Sequence, residues 1–513
     1  MENWRCLTRT VSERGELQAV YSCGVKVADF VKKLMFQGKW RLWKLSIAVL
    51  IFLTIYNVFL TVRLMYASLC KQNSEVIIAR AETPLRTDCN DVSRNQAKPA
   101  TNKVPNKTLG NNVLEEGRKN PAGNGKYALN LNLSLGRSDA RLGYKLFDNV
   151  LVGEKYIQLS ETYETCLATQ SSLDKIASLI ESSLYWGGPI SLAAFAGSEK
   201  ELGNLLLYIL YLRKCNIRIR EKVTFHIAIN RGSKGPKNYD VDEGVLEKLD
   251  CGNPMAVLKS LAIQETIRRV YEEPLYLRNN YVDFLKQNIR SWRGKLPYPQ
   301  NLLRNLARKN CQSKYVFLTD VDIIPSKGMA ESLNKFYENQ KCSGKCAYVV
   351  PTYELDERVY FPPNKTDLVR MANKGLARPF HHKVFIYNQY ATNFSRWQQY
   401  KDPDDRVRIS HPVTNFEFLY EPFYISTDNV PPHDERFVGY GYTRNSQVYE
   451  MFVAGYEFFV LSPIFTCHWG LQVKKSRPPW REHQNNLNRK QFDNFKKEIF
   501  ARYNKDPLNM IKH

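Results

Sequence analysis

Two carboxylates, Asp320 and Asp322, stand one residue apart directly after the short apolar run Tyr-Val-Phe-Leu at 315–318. Such a run reads as a buried strand, and its end delivers both acids to a sheet edge. Hard oxygen ligands at the carboxyl end of a parallel strand suit a divalent cation held against a diphosphate. The same spacing recurs at Asp240/Asp242 and at Asp402/Asp404, but among charged, turn-forming residues where a solvated loop is expected. Only the 320/322 pair follows an apolar strand, so the chemistry is expected there.

The working expectation is a site for transfer of a sugar from a nucleotide donor, which requires a neutralised leaving diphosphate, a base for the acceptor hydroxyl and exclusion of water. A third metal ligand is expected at His468, where the apolar, strand-like run 458–467 ends before Trp469 and Gly470. Carboxylate plus imidazole suits Mn²⁺ better than Mg²⁺; a structural histidine bonded to backbone is the alternative. For the base, residues 431–441 offer Asp434 or Glu435, where a helix is expected to start. One would take the acceptor proton while its neighbour pairs with Arg436, unless either is a plain helix cap. Gly439 and Gly441 let backbone approach a substrate, and Tyr440 offers a sugar ring a stacking face. Upstream, Asn301, Arg304 and Arg308 share one helix face, and Arg304 could grip a sugar carboxylate or phosphate through its planar fork. A surface helix charge is the plainer reading of that arginine.

The elements that must position these residues alternate between strand and helix from about residue 150. An apolar strand at 190–195 leads into Ser198-Glu-Lys-Glu201, a capping box opening a helix whose Leu202, Leu205, Leu206, Ile209 and Leu210 share a face. With the apolar strand at 223–229 this makes a βαβ unit. Residues 271–309 are helix-rich and polar, and further strands are expected at 347–350 and 383–387. No Gly-x-Gly-x-x-Gly fingerprint occurs, which argues against a dinucleotide fold. The expected class is α/β, one domain over 150–513 with a mixed, mainly parallel central sheet.

The 513-residue chain carries a formal charge of +23, which favours anionic partners. Without an arginine-rich run or zinc-finger spacing, nucleic acid is not the expected partner. Residues 45–62 are free of charge and on the order of 27 Å long as a helix, enough to cross a thin bilayer. Lys32, Lys33, Lys39, Arg41 and Lys44 crowd the preceding side, so residues 1–44 are expected in the cytosol, with a signal anchor at 45–66. Residues 67–149, rich in Pro, Asn, Lys and Thr, read as a flexible glycosylated stem, with a small folded module confined to 127–135 as the alternative. The Asn-x-Ser/Thr acceptors Asn106, Asn132, Asn364 and Asn393 all follow the anchor. So do Cys166, Cys215, Cys251, Cys311, Cys342, Cys346 and Cys467, an odd set in the expected domain that leaves a thiol free or paired elsewhere. Cys342 and Cys346 suit a local disulfide or free thiols better than half a zinc site.

Five ordered stretches carry a more specific likeness: Tyr-Pro-x-Asn-x-Leu-Arg-Asn at 298–305, Phe-Leu-Thr-Asp-Val-Asp-Ile-Ile-Pro-Ser at 317–326, Val-Val-Pro-Thr-Tyr-Glu at 349–354, Asp-Glu-Arg-Phe-Val-Gly-Tyr-Gly at 434–441 and Val-Ala-Gly-Tyr-Glu-Phe-Phe-Val-Leu at 453–461. They resemble the β-1,4-glucuronyltransferase family that primes matriglycan on α-dystroglycan, itself similar to the glucuronic-acid-transferring domain of the LARGE glycosyltransferases. The resemblance implies a GT-A-like nucleotide-sugar-binding domain, UDP-glucuronate as donor, Mn²⁺, inversion at the anomeric carbon and a xylose-ended glycan acceptor on a secretory glycoprotein. It further implies residence in the Golgi membrane as a single-pass type II protein, and allows a homodimer or partner glycosyltransferases. The family's metal acids fall on Asp320 and Asp322 and its metal histidine on His468, whereas its base has no assigned match here. The xylose-transferring domain of LARGE has no counterpart, so single glucuronates are the expected product. Other readings are a different UDP-sugar donor such as N-acetylglucosamine or xylose, a phosphatase of the haloacid dehalogenase type, and an inactive sugar-binding member. Asp320→Asn or Asp322→Asn is expected to leave a folded protein without transferase activity in Mn²⁺, and full activity of either purified variant would remove the site from this pair.

Overall fold

The computed structural model describes residues 129–139, 143–230, 238–240, 243–261, 296–340, 342, 344–474 and 478–511. The expected cytosolic tail, anchor and most of the stem, with Asn106, lie outside the described residues. Among the described residues no helix is long and apolar enough to cross a membrane.

The folded chain reaches back into the expected stem. Residues 129–149 contribute β1 (Asn130–Asn132), β2 (Arg137–Asp139) and the start of β3 (Tyr144–Leu151). β3 buries Tyr144, Leu146 and Phe147. Lys145, Asp148 and Asn149 break the apolar pattern in the sequence but find partners in the fold: Lys145 Nζ donates to the Leu133 carbonyl, and Asp148 accepts from Asn310 at 2.8 Å.

A ten-stranded sheet forms the centre. Its order is β13 (Arg408–Pro412), β15 (Glu457–Ser462), β10 (Cys346–Val350), β14 (Phe423–Thr427), β8 (Tyr315–Leu318), β4 (Thr165–Ser172), β5 (Ile190–Ala196), β6 (Val223–Asn230), β3 and β2. β8, β4, β5 and β6 run parallel, as do β10 and β15, while the remaining neighbours are antiparallel. The sheet is therefore mixed, with parallel pairing confined mostly to its middle rather than prevailing. The expected βαβ unit is β5, α2 (Glu199–Cys215) and β6. Its capping box closes through Glu201 N–H on Ser198 Oγ at 3.2 Å and Gly197 N–H on Glu201 Oε2 at 2.9 Å. α1 (Leu179–Tyr185) precedes it.

Period two explains why β8 is apolar throughout. Tyr315 and Phe317 face the cluster that contains the α2 leucines, whereas Val316 and Leu318 face Leu302, Leu303, Leu306 and Ala307 of α3 (Gln300–Lys309). A strand covered on both faces must be apolar on both, and must end where polar groups can be solvated or paired.

Three strands pass almost directly into a smaller sheet of order β12 (Ala377–Pro379), β11 (Thr352–Leu355), β16 (Thr466–Trp469) and β9 (Ile324–Pro325). β8 continues to β9, β10 to β11 and β15 to β16. The remaining strand, β7 (Asn238–Asp240), pairs with β1. Around these pack α4 (Met329–Asn339), α5 (Lys365–Asn373), α6 (Phe394–Gln399), α7 (Arg444–Val453) and the long α8 (Pro479–Tyr503). The strand expected at 383–387 is absent. Instead His381 takes a left-handed φ of 60°, its carbonyl accepts from the N–H groups of Val384 and Phe385, and a 3₁₀ turn follows at Ile386–Asn388. Those local bonds curl the chain out of the extended conformation that a strand requires.

Disulfides join Cys166 to Cys311, Cys215 to Cys251 and Cys342 to Cys346, while Cys467 is free and buried. The odd set thus resolves as one thiol left over, and the Cys342–Cys346 bridge rules out the half zinc site. The first bridge fastens the end of α3 to β4.

His226 on β6 shows how the core handles a titratable group. Its Nδ1 accepts from the Asn149 N–H at 2.9 Å, so Nε2 carries the proton and meets Ser191 Oγ at 3.0 Å, whose own hydrogen goes to the Ala307 carbonyl. Burial pulls this histidine down to about 4, against the upward influence of Asp148. An unfolded histidine titrates near about 6.5, so between those values the unfolded chain binds the extra proton. The stabilisation is complete above the higher value and drains away as pH falls toward the lower one. His433, pushed down by burial and by Arg304, Arg308 and Arg444, acts in the same direction. Thermal melts should therefore show stability falling between pH 6.5 and 4 by on the order of 3 kcal/mol for His226, and His226→Asn should flatten that slope.

Candidate active site

Asp320 stands in the link between β8 and β9, and its carboxylate gathers three elements. Oδ1 accepts from Arg304 Nη2 of α3 at 3.1 Å, Arg444 Nη2 of α7 at 3.0 Å and Gln170 Nε2 of β4 at 2.9 Å. Both arginine side chains are 4% exposed, against 28% for the acid. Arg444 also donates to the Leu318 carbonyl and lies 4.3 Å from the Phe423 ring centroid. Burial would push the Asp320 carboxyl up, but the charges of Arg444 and Arg304 hold it well below the usual carboxylate range.

Asp322 faces the other way along the same turn. The intervening Val321 and the following Ile323 are buried, and the turn at 321–322 sends the two carboxylates to different partners. Register does the rest: β16 pairs with β9 through Cys467 and Ile324, carrying His468 alongside the turn. His468 Nε2 lies 3.5 Å from Asp322 Oδ2, and Lys175 Nζ reaches the same oxygen at 3.2 Å. Burial raises the Asp322 carboxyl, yet the nearby His468 ring and the charge of Lys175 bring it below its ordinary value.

The chemistry of this donor set suits a divalent cation. The 3.5 Å separation is long for a hydrogen bond but natural for two ligands of one ion, and the other ring nitrogen of His468, Nδ1, is buried without a partner. Among the described residues no group of three His, Cys, Asp or Glu side chains converges on a metal-sized space. The expected trio is thus not gathered at one point: Asp322 and His468 approach each other, while Asp320 Oδ1 is committed to guanidinium groups.

His468 also lines a cleft of about 810 Å³ together with Tyr440, Trp469, Gly470, Lys474 and Arg481. The Arg481 guanidinium lies 3.5 Å from the Tyr440 ring centroid, so one face of the expected stacking platform is already taken.

The other expected site residues have partners within the fold. Asn301 is fully buried; its Nδ2 donates to the Asp434 carbonyl and its Oδ1 accepts from Arg304. Arg304 and Arg308 are buried rather than surface charges, Arg308 pairing with Asp428 and the 430–431 carbonyls. α3 carries its leucines toward the sheet and its polar face into this loop, so both faces are covered. Asp434 is clamped by Arg436, with Nη2 at 2.5 Å, and Glu435 accepts from Asn305 Nδ2 at 2.8 Å. Both lie in a turn rather than at a helix start, because the next helix is α7. Of the other Asp pairs, Asp402 accepts from buried Lys365 at 2.8 Å and Asp404 pairs with Arg406 and Arg408; the side chains of 240 and 242 lie outside the described residues. Asn364 and Asn393 are exposed N-caps whose Oδ1 atoms accept from the N–H groups of Asp367 and Arg396, while Asn132 Oδ1 accepts from Ser134 N–H.

Four contributors escaped the sequence. Gln170 and Arg444 hold Asp320, Arg481 faces the cleft, and Glu421 accepts from Asn388 Nδ2 at 2.6 Å. Burial raises the Glu421 carboxyl, against the pull of Arg444 and Arg304. The polar Gln-Ser-Ser that ends β4 was the available signal.

A family model described as glycosyl-transferase for dystroglycan matches residues 164–504. The chain is 32% identical over 347 residues to a protein of Homo sapiens named beta-1,4-glucuronyltransferase 1, covering 67% of this chain and 77% of that one. It is 27% identical over 402 residues to the Danio rerio protein of the same name, covering 76% and 87%. A shorter stretch of 173 residues is 34% identical to the Homo sapiens xylosyl- and glucuronyltransferase LARGE1, covering 33% of this chain and 22% of that protein.

The two acids should part company on substitution. Asp320→Asn leaves two buried guanidinium groups without their anion, a loss of about 3 to 5 kcal/mol, so it should lower the melting temperature as well as activity. Asp322→Asn and His468→Ala should melt close to wild type. A wild-type melt for Asp320→Asn would show that the arginines do not depend on it.

Proposed function

The chain belongs to the glycosyl-transferase family for dystroglycan, and from that premise we propose that it transfers glucuronic acid from UDP-glucuronate to a xylose-ended O-mannosyl glycan, with inversion, in a GT-A-type domain. The observation that carries this reading is the approach of His468 to Asp322 within 3.5 Å at the edge of a cleft with cationic and aromatic walls. Similarity to proteins named beta-1,4-glucuronyltransferase 1 supports the choice of sugar.

Asp322 and His468 are the residues that would hold Mn²⁺, which when bound offsets the charge growing on the departing diphosphate. Asp320 keeps Arg304 and Arg444 in place behind them, so the turn presents Asp322 in one orientation. Lys175, paired with Asp322 at 3.2 Å, adds a positive charge on the same rim. In an inverting transfer the acceptor oxygen bonds to the anomeric carbon as the bond to UDP breaks, and the hydroxyl proton passes to a carboxylate. We assign that proton to Glu421. In its favour, the charges of Arg304, Arg444 and Asp320 reach it and burial raises its affinity for a proton. Asp434 is clamped by Arg436, while Glu435, whose carboxyl burial also raises, accepts from Asn305 as Glu421 accepts from Asn388.

The reading includes a type II Golgi membrane protein, with a tail at 1–44, an anchor at 45–66 and a lumenal catalytic domain. The charge asymmetry about residues 45–62 supports that orientation. Three disulfides suit an oxidising lumen. At Asn132, Asn364 and Asn393 the recorded turn and cap bonds use Oδ1, which is compatible with a glycan on Nδ2.

The purified full chain, supplied with Mn²⁺ and a xylose-terminated acceptor, should turn over UDP-glucuronate in preference to UDP-N-acetylglucosamine, UDP-galactose and UDP-xylose. Faster transfer from any of the other three would overturn the donor assignment. Glu421→Gln should cut kcat by about 10²- to 10⁴-fold with donor KM little changed, and a near-normal kcat would return that residue to the scaffold.

A further inference from the structure

We infer that Arg481, laid flat on Tyr440 at the mouth of the cleft, is the residue that reads the carboxylate of the donor sugar. The inference rests on the UDP-glucuronate reading and adds to it the side chain that would distinguish a hexuronate from a neutral hexose.

An arginine can recognise an incoming anion only if its charge is not already spent. Around the site the guanidinium groups are spent: Arg304 and Arg444 on Asp320, Arg378 on Glu354 at 2.8 Å, Arg308 on Asp428 and Arg436 on Asp434 and Glu498. Arg481 differs. Among the described residues no carboxylate forms an ion pair with it, although Glu357 and Glu482 line the same cleft. Its Nε is buried without a hydrogen-bond partner, and its charge is one of those that depress the neighbouring His381.

The placement is built rather than incidental. Stacking at 3.5 Å from the Tyr440 centroid removes much of the side chain's freedom before any ligand arrives. Tyr440 is held in turn by α8, the helix that bears Arg481. Its N–H donates to Gln484 Oε1 at 3.1 Å, and Asn488 Nδ2 donates to the carbonyls of Val438, Tyr440 and Gly441. Gly439 and Gly441 make the close approach possible. Their φ values are 78° and 90°, and an added Cβ would come within 2.5 Å of Gln484 Oε1 and 2.2 Å of Asn485 Oδ1. The same loop and helix thus supply a rigid planar fork beside His468, which lines the cleft with it. Such a fork matches the two oxygens of a carboxylate. The diphosphate is an anion too, but the Asp322 and His468 cation site and Lys175 already address it.

Calorimetric titration of the full chain in detergent with UDP, UDP-glucose and UDP-glucuronate, each with Mn²⁺, separates these sources. Wild type should bind UDP-glucuronate more tightly than UDP-glucose by about 10- to 100-fold, the worth of hydrogen bonds to a charged group. Arg481→Gln should erase that preference while leaving UDP and UDP-glucose within about twofold of wild type. Arg481→Lys, which keeps the charge and loses the fork, should recover only part of it, and serves if the glutamine variant does not fold. A preference that survives in both variants would overturn the inference, as would an equal loss of affinity for all three ligands, which would assign Arg481 to the diphosphate. Absence of the preference in wild type would instead remove the donor assignment and the inference together.

Discussion

One oxygen of Asp320 accepts hydrogen bonds from Arg304, Arg444 and Gln170, and the geometry of the site follows from that shared acceptor. Two guanidinium groups buried at 4% exposure are costly unless an anion lies between them. The anion brings α3, α7 and β4 to the end of β8, and each guanidinium also repays its place with other bonds: Arg304 to Asn301 and Thr443, Arg444 to the Leu318 carbonyl. Burial and the same positive charges lower the proton affinity of His433.

That arrangement divides work between two carboxylates that look alike in the chain. Asp320 is turned inward and spent on the scaffold, which frees Asp322 to face His468. The contrast with Asp402 and Asp404 is instructive, because there the first acid neutralises buried Lys365 and the second is shared by Arg406 and Arg408. In both pairs the first acid is structural. What differs is the neighbour of the second: an imidazole and an exposed lysine at Asp322, two arginines at Asp404. A metal cannot compete readily with two guanidinium groups, whereas it can take the place between a carboxylate and an imidazole.

The position of the site reflects the seam between two sheets. β8, β10 and β15 each run on into the smaller sheet, so the turn bearing Asp322 and the strand bearing His468 are brought together by strand pairing and not by a flexible loop. Strand pairing is stiff, which suits groups that must keep their separation. The cleft wall obeys a different rule: Tyr440 reaches Arg481 only because two glycines with positive φ allow the loop to lie against α8.

Local signals read well from the sequence. The apolar run at 315–318 became β8, Ser198 and Glu201 closed a capping box, and the βαβ unit at 190–230 formed as its periodicity indicated. These features depend on neighbours within a few residues, so the linear order contains them. Elsewhere local cues misled: Val384 and Phe385 sit in a turn, residues 144–151 form a strand despite three polar interruptions, and Arg304 is buried although its helix reads as polar. By itself the sequence determined which acids follow a buried strand, and hence that Asp320 and Asp322 lie at a sheet end. Only the tertiary structure decided that Asp320 faces Arg444, 124 positions away, and that Asp322 faces His468. Charges find their partners in space, and no periodicity along the chain records which guanidinium will share a buried carboxylate.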